Sequence, residues 1–447
     1  MWLRIFFAAY LYAYLVMIRS LGSLILVAAL ASAAAAESGG AISIRTFDPE
    51  SATEPVAGVE GPGIKIGEGT VLHPVIGIEG GFDSNVFYES TATNAGGILR
   101  FLAQIGVGSL SSQRLTPAGD DGGDQNLGFF QYRASLRAAY DWVLSGNNKA
   151  SDTSGLGIGA TGAATVNPMG HLTFNVDDNF MRLIRAANFE TGVNTNRDIN
   201  TFGANLTLHS DSTTLSGMVY YRNTIDVFER SEQSFADRIQ HRIGLRPQWR
   251  IRPKTLLFAD VSQGFYGPLG RDSHKVSSKP FTALAGIGTL FTPRLSLNLQ
   301  GGYTNGFYSS GPSFSSIELA AQVGFRYATL GRATLAYELH HEDSINANFY
   351  RDHTIRLAVQ HQFSPVLVMV QPEVHFRRYS GITEVTGPVN RDDVILAVIA
   401  GVHYNLRDYL AATLDYRFTD VNTSYRGGGD DPGYARHQVL LGMRWAL

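Results

Sequence analysis

The sequence predicts an all-β chain: one transmembrane, antiparallel, up-and-down β-barrel of about 16–18 strands. Three observations predict it. Apolar and polar residues alternate with period two along most of the chain, short and long connections alternate with one exception, and the final segment keeps its apolar face to Leu447.

In that final segment Val439, Leu441, Met443, Trp445 and Leu447 fall on one side, with Gln438, Gly442 and Arg444 on the other. This is the pattern of a strand with one apolar face. The Gly442-x-x-Trp445-x-Leu447 spacing resembles the C-terminal strand signal that outer-membrane barrels present to the barrel-assembly machinery, although Leu440 stands where a polar residue is usual. An edge strand of a soluble sandwich would alternate in the same way, so the rest of the chain has to decide.

Bulk composition narrows the choice. Net charge is −3 and charged residues make up 17%, which points to no nucleic-acid partner. Beyond the N-terminal segment no apolar run approaches the roughly 18 residues of a spanning helix. With no Cys, disulfides, thiolate metal sites, Cys nucleophiles and N-terminal lipidation are excluded. The N-terminus reads as a secretion signal over residues 1–36. It has a basic start at Met17-Ile-Arg19-Ser, an apolar stretch from Leu21 to Leu30, and small residues Ala34-Ala35-Ala36 before Glu37. Met17 is the expected true start, and an uncleaved anchor helix is the alternative. Residues 37–70, rich in Gly, Pro, Ala and Glu, read as a periplasmic extension or linker, and residues 71–447 as the barrel.

Within 71–447 the strands declare themselves by parity. Phe130, Tyr132, Ala134, Leu136, Ala138, Tyr140 and Trp142 alternate with Gln131, Arg133, Ser135, Arg137 and Asp141. Ile239, His241, Ile243, Leu245, Pro247, Trp249 and Ile251 alternate with Arg238, Gln240, Arg242, Arg246, Gln248 and Arg250. In a sandwich the apolar side packs inward; in a membrane barrel it meets lipid and the polar side lines the lumen.

The connections choose between these. Tight turns sit at Asn167-Pro-Met-Gly170, Ser210-Asp-Ser212, Arg252-Pro-Lys254, Thr292-Pro-Arg294, Leu330-Gly-Arg332, Ser364-Pro365 and Leu406-Arg-Asp408. Longer polar links lie between them, around 182–197, 226–236, 266–275, 306–313, 343–352, 380–391 and 420–434. Long links at 84–97 and 144–154 continue the pattern, broken once by the Gly/Asp-rich 110–127, which is expected to be periplasmic. Short periplasmic turns and long external loops are the rule of outer-membrane barrels. Aromatics agree: Trp249, Tyr404 and Trp445 are expected at periplasmic strand ends, and Tyr140, Trp142 and Tyr221 near external ends, forming two interfacial belts.

At the end of the first strand, Gly81-Phe82-Asp83-Ser84-Asn85-Val86 resembles the opening motif of the putative beta-barrel porin family, whose members often accompany exopolysaccharide operons. The resemblance implies an outer-membrane barrel and, as one possible partner, an exported polysaccharide. Physically, Asp83, Ser84 and Asn85 are turn formers at the start of an external loop.

Candidate chemistry is sparse. Glu338-Leu-His340-His341-Glu342-Asp343 is the most site-like cluster, yet a strand splits it between two faces, so no metal or cofactor is expected. Glu338, His340 and Glu342 are expected to line the lumen near its external mouth, paired with arginines. No nucleophile elbow, phosphate loop or paired-His helix motif is present, and an enzyme is not expected. The lumen wall says more. Arg238, Arg242, Arg246 and Arg250 point one way from one strand, and Arg133, Arg137, Arg222, Arg326, Arg356 and Arg377 share that parity elsewhere. Two readings follow: Arg–carboxylate ladders that stiffen the wall, or an electropositive stripe that favours anionic solutes. The expectation is a porin-like outer-membrane channel for polar or anionic solutes. The alternatives are a barrel component of polysaccharide export and a closed structural or enzymatic barrel.

Overall fold

The computed structural model describes residues 63–66, 69–109, 129–186, 195–210, 214–269, 275–384, 387–425 and 432–447. The expected secretion signal, nearly all of the 37–70 extension, the 110–127 link and the middle of the 182–197 link lie outside the described residues.

Nineteen strands are present among the described residues. A three-residue β1 (Ile64–Ile66) precedes β2 (Thr70–Asp83), β3 (Gly96–Ser109), β4 (Phe130–Leu144) and β5 (Gly155–Val166). Then come β6 (Leu172–Ala186), β7 (Thr195–His209), β8 (Leu215–Phe228), β9 (Arg238–Arg252) and β10 (Thr255–Pro268). β11 (Phe281–Thr292), β12 (Leu295–Asn305), β13 (Ser315–Ala328), β14 (Gly331–Asp343) and β15 (Phe349–Phe363) follow. The last four are β16 (Val366–Glu384), β17 (Gly387–Arg407), β18 (Leu410–Thr423) and β19 (Tyr434–Ala446). Each of β2 to β19 pairs antiparallel with its sequence neighbours, and β19 returns to β2, closing an 18-strand barrel.

Closure is complete because β1 finishes it. β19 covers β2 from Asp83 to Val75, and β1 pairs with β2 at Thr70–Leu72, beyond the reach of β19. The Leu447 amide donates to the Pro74 carbonyl at 3.0 Å and fills the gap between them. The described helices are a single turn, α1 (Asn148–Ser151), and a 3-10 segment (Ser231–Ala236), and none is long and apolar enough to cross a membrane.

The tight turns read from the sequence fall at the end of the barrel that holds the C-terminus, and so does the long β3–β4 connection. The other connections of β2 to β19, including the very short one between β16 and β17, fall at the other, external, end. Two of the expected long links are shorter. Only Ser344–Asn348 separate β14 from β15, where a link over 343–352 was expected. The stretch 380–391 is largely strand: β16 and β17 run on to Glu384 and from Gly387. These two strands have 19 and 21 residues, well beyond the roughly 9–11 that span a bilayer. Their outer ends therefore extend past it, where outward positions no longer need apolar side chains, while Tyr379 and Ile382 stay buried.

The parity expected from sequence is the parity observed. Leu441 is 63% exposed on the outer face and its neighbour Leu440 is 3% exposed on the inner. Leu440, the misfit in the C-terminal pattern, lies opposite Gly81, where a Cβ would sit 1.9 Å from the Val439 carbonyl oxygen. An apolar side chain is accommodated there because the facing residue has none.

The seam is also clamped by charge. Arg436 on β19 pairs with buried Asp83 on β2, donates to the Tyr88 hydroxyl at 2.7 Å, and lies 4.6 Å over the Tyr88 ring. The Ser84 amide donates to the His437 carbonyl, and the Asn85 side chain donates to the carbonyls of Glu89 and Ala435. The residues read as turn formers thus also fasten the first strand to the last. Asp83→Ala strands the Arg436 guanidinium and should destabilise the barrel by roughly 3–5 kcal/mol. A lower temperature for the loss of compact mobility on denaturing gels would show it; an unchanged transition would contradict the clamp.

Candidate functional site

The inner wall carries the polar chemistry, and it divides into two unequal halves. Over β15–β19 and β2–β4 it holds large charged side chains locked together. The Arg100 guanidinium donates to Asp141 at 2.6 and 3.0 Å and reaches Glu79 at 3.5 Å. Arg444 donates to Glu79 at 2.6 Å and approaches Asp415 at 3.6 Å, and His403 contacts Asp415 at 3.2 Å. This chain of charges crosses the closing seam and ties six strands from β4 round to β17. A second network joins β15 to β16: Arg356 to Glu373 at 2.9 Å, His375 between Glu373 (3.1 Å) and Asp352 (2.9 Å), and Arg377 to Asp352 at 2.8 Å. Arg377 also lies 4.0 Å from the centre of the Tyr350 ring. Buried pairs of this kind fix geometry and register more than they add stability.

From β5 to β14 the inward charges include Arg197, which pairs with buried Asp226 at 3.1 Å. Three inward side chains on these strands lie sideways over a glycine directly opposite on the next strand. Tyr220 covers Gly244, Phe258 covers Gly286 and Asp177 covers Gly203, each close enough that an added Cβ would meet it within 2.6 Å. Glu79 lies over Gly442 in the same way, which gives that glycine of the C-terminal pattern a packing reason. The arrangement keeps bulk against the wall and out of the lumen.

Here the arginines of β9 differ from one another. Arg238 pairs with Asp226 at 2.8 Å, and Arg246 pairs with Asp260 at 2.5 Å. Arg242 and Arg250 are exposed and make no ion pair among the described residues. Arg242 lies directly opposite Arg222 on β8, and Arg222 reaches only Asp177, at 3.5 Å, with its side chain 53% exposed. Like charges facing each other across strands normally cost stability. The residues facing the pair on the flanking strands are glycines, Gly203 on β7 and Gly264 on β10.

The remaining arginines are more dispersed. Arg133 and Arg137 sit half-buried on β4, facing small residues of β5, and Arg326 lies at the periplasmic rim of β13. The expectation for β14 needs correcting. Glu338, His340 and Glu342 do face inward, but none pairs with an arginine among the described residues. Glu342 accepts from the Tyr350 hydroxyl at 2.8 Å and lies 3.8 Å from His340, while Glu338 makes no ion pair there. Arg356 and Arg377 are taken instead by Glu373 and Asp352, which lie nearer on β16 and β15. Among the described residues no group of His and carboxylates could hold a metal ion.

On the outer face, Trp249, Tyr404 and Trp445 lie at periplasmic strand ends and Tyr140 and Trp142 near the external end of β4. Tyr221 does not: it sits at mid-strand on β8, with its hydroxyl 2.8 Å from His241 Nδ1. The sequence suggested otherwise because β8 continues to Phe228, past the point where its polar link seemed to begin.

At the external mouth, loops fold together. Ile345, between β14 and β15, packs with Phe228 and Ala236 of the β8–β9 connection. The Lys275 ammonium donates to the Ala347 carbonyl at 3.1 Å, and the Asn348 side chain donates to the carbonyls of Ser310 and Pro312. Four external connections are joined in this way. Sequence reasoning missed them because each contact links residues far apart in the chain.

The family described as "Putative beta-barrel porin 2" matches residues 150–447. No curated protein shows a significant match. Similar solved structures include Acinetobacter baumannii OccAB4, at 10% identity, covering 84% of this chain and 98% of that one, with a TM-score of 0.44. Pseudomonas aeruginosa OccK2 (OpdF) in complex with glucuronate is 9% identical, with coverage of 84% and 98% and a TM-score of 0.44. The siderophore receptor PirA of Pseudomonas aeruginosa is 7% identical, with coverage of 84% and 80% and a TM-score of 0.40.

The loop contacts give a direct expectation. Ile345→Asp places a charge in the apolar contact with Phe228 and Ala236 and should release the bridge across the mouth. Single-channel recording in planar bilayers should show a higher conductance than wild type. Equal conductance would mean that the bridge does not limit the opening.

Proposed function

This chain belongs to the Putative beta-barrel porin 2 family, and from that premise we propose that it lets polar solutes diffuse passively across the outer membrane, with a bias toward anions. The observation that carries the bias is the Arg222–Arg242 pair facing across β8 and β9, with Arg250 below Arg242 on β9. At 18 strands a barrel is too wide for wall side chains alone to fill. The open part of the section therefore lies beside β5–β14, where glycines hold side chains flat. A solute moving there passes the exposed guanidinium groups of Arg242 and Arg250, and that of Arg222 beside Asp177. Exposed arginine along a pore attracts anions and repels cations, and it recognises carboxylates by paired hydrogen bonds.

Every part of this mechanism is electrostatic and steric. Paired arginines such as Arg238 and Arg246 are neutralised by Asp226 and Asp260 and serve the wall. The same proposal assigns residues 1–36 to export across the inner membrane.

Arg222→Glu with Arg242→Glu should move the reversal potential in a salt gradient toward the cation limit. Arg246→Glu, whose native residue is already paired, should move it less. Equal shifts from both, or none from the first, would count against the stripe.

A further inference from the structure

The outer wall of a membrane barrel should be apolar until it reaches the headgroups, and on most strands here it is. One patch departs from this. On β15 and β16, the outward residues Ile355, Leu357 and Phe376 are exposed and apolar, and just above them the outward positions become cationic. Arg351 on β15 lies directly opposite Arg378 on β16. In the same register row, His341 on β14 faces Arg351 and Asp392 on β17 faces Arg378.

The charges in that row do not balance. Arg378 donates to Asp392 at 2.6 Å, whereas Arg351 makes no hydrogen bond or ion pair among the described residues. His353, one outward position below Arg351, stands beside the Tyr337 hydroxyl at 2.9 Å. His341 is stacked 4.4 Å beneath Phe314 and is withdrawn from the surface. Two arginines in facing positions repel each other, and the one carboxylate in the row, Asp392, lies on the far side of Arg378 from Arg351. The repulsion is relieved if a second anion lies between them, and the planar guanidinium fork suits a phosphate. The height is right for one: the patch sits at the external end of the wall, at the upper limit of the apolar band.

We propose that Arg351, Arg378 and His353 form an outward-facing site for the phosphate of an anionic lipid headgroup in the external leaflet. The site rests on the barrel being seated in the outer membrane and is independent of whether the lumen conducts. It would anchor one lipid on the β15–β16 face and fix the depth at which the barrel sits.

The test uses the full chain in detergent, incubated with bis-phosphorylated lipid A, dephosphorylated lipid A or inorganic phosphate, and read by native mass spectrometry. The wild type should retain lipid A, retain the dephosphorylated form weakly, and keep lipid A in the presence of inorganic phosphate. Arg351→Gln with Arg378→Gln should lower retention by about tenfold or more. Should the double variant lose its folded gel mobility, Arg351→Gln alone breaks no ion pair and carries the test. Arg222→Gln, in the lumen, should leave retention unchanged. Equal retention of both lipids, equal retention by the outer-face variants, or loss in the lumen variant alone would overturn the site. A chain that takes up neither detergent nor lipid would overturn the membrane seat as well.

Discussion

The pairing of the last strand with the first is the constraint on which everything else depends. Inside a bilayer there is no water to satisfy a sheet edge, and each unpaired amide or carbonyl costs several kcal/mol. The β19–β2 ladder, completed by β1 where β19 ends, removes that edge. Once it is closed, parity does the sorting. Every outward position must tolerate lipid and every inward position becomes available for charge. Arg444 with Glu79, and Arg436 with Asp83, hold the ladder from the inside.

Closure also explains why the lumen is uneven. One of the heaviest charge networks crosses the seam, where β19 and β2, distant in sequence, must find each other in the right register; the other joins the neighbours β15 and β16. Ion pairs there serve specificity, since a one-residue slip would turn every inward charge toward lipid. Far from the seam, ion pairs also occur, as between Arg197, Asp226 and Arg238, but Arg242 and Arg250 stand exposed with no ion pair among the described residues. Division of labour between a locked side and an open side is what turns a closed sheet into a candidate conduit.

Much of this was legible from sequence. The strands, their parity and the alternation of short and long connections follow from local chemistry, and so did the inward direction of Arg238–Arg250. Other features depend on residues that meet only through closure. Asp83 reads as a turn former because its partner Arg436 is 353 residues away. Arg242 and Arg246 look alike in sequence, and only the placement of Asp260 on β10 separates a neutralised arginine from an exposed one. The extra length of β16 and β17 was hidden because strands that rise above the membrane stop alternating. Glu338 was expected to find an arginine, but Glu373 and Asp352 had already taken the neighbours.

The absence of cysteine makes the central claim directly measurable, because a single introduced thiol can be labelled without interference. Arg242→Cys and Ile243→Cys place a nitroxide at adjacent positions of β9, in a barrel reconstituted in lipid vesicles. Collision rates with oxygen and with a water-soluble nickel chelate then report the surroundings. The account predicts that the label at 243 meets oxygen and is shielded from the chelate, and that the label at 242 shows the reverse. Two labels with the same accessibility would mean that the two faces of the strand do not separate lipid from lumen.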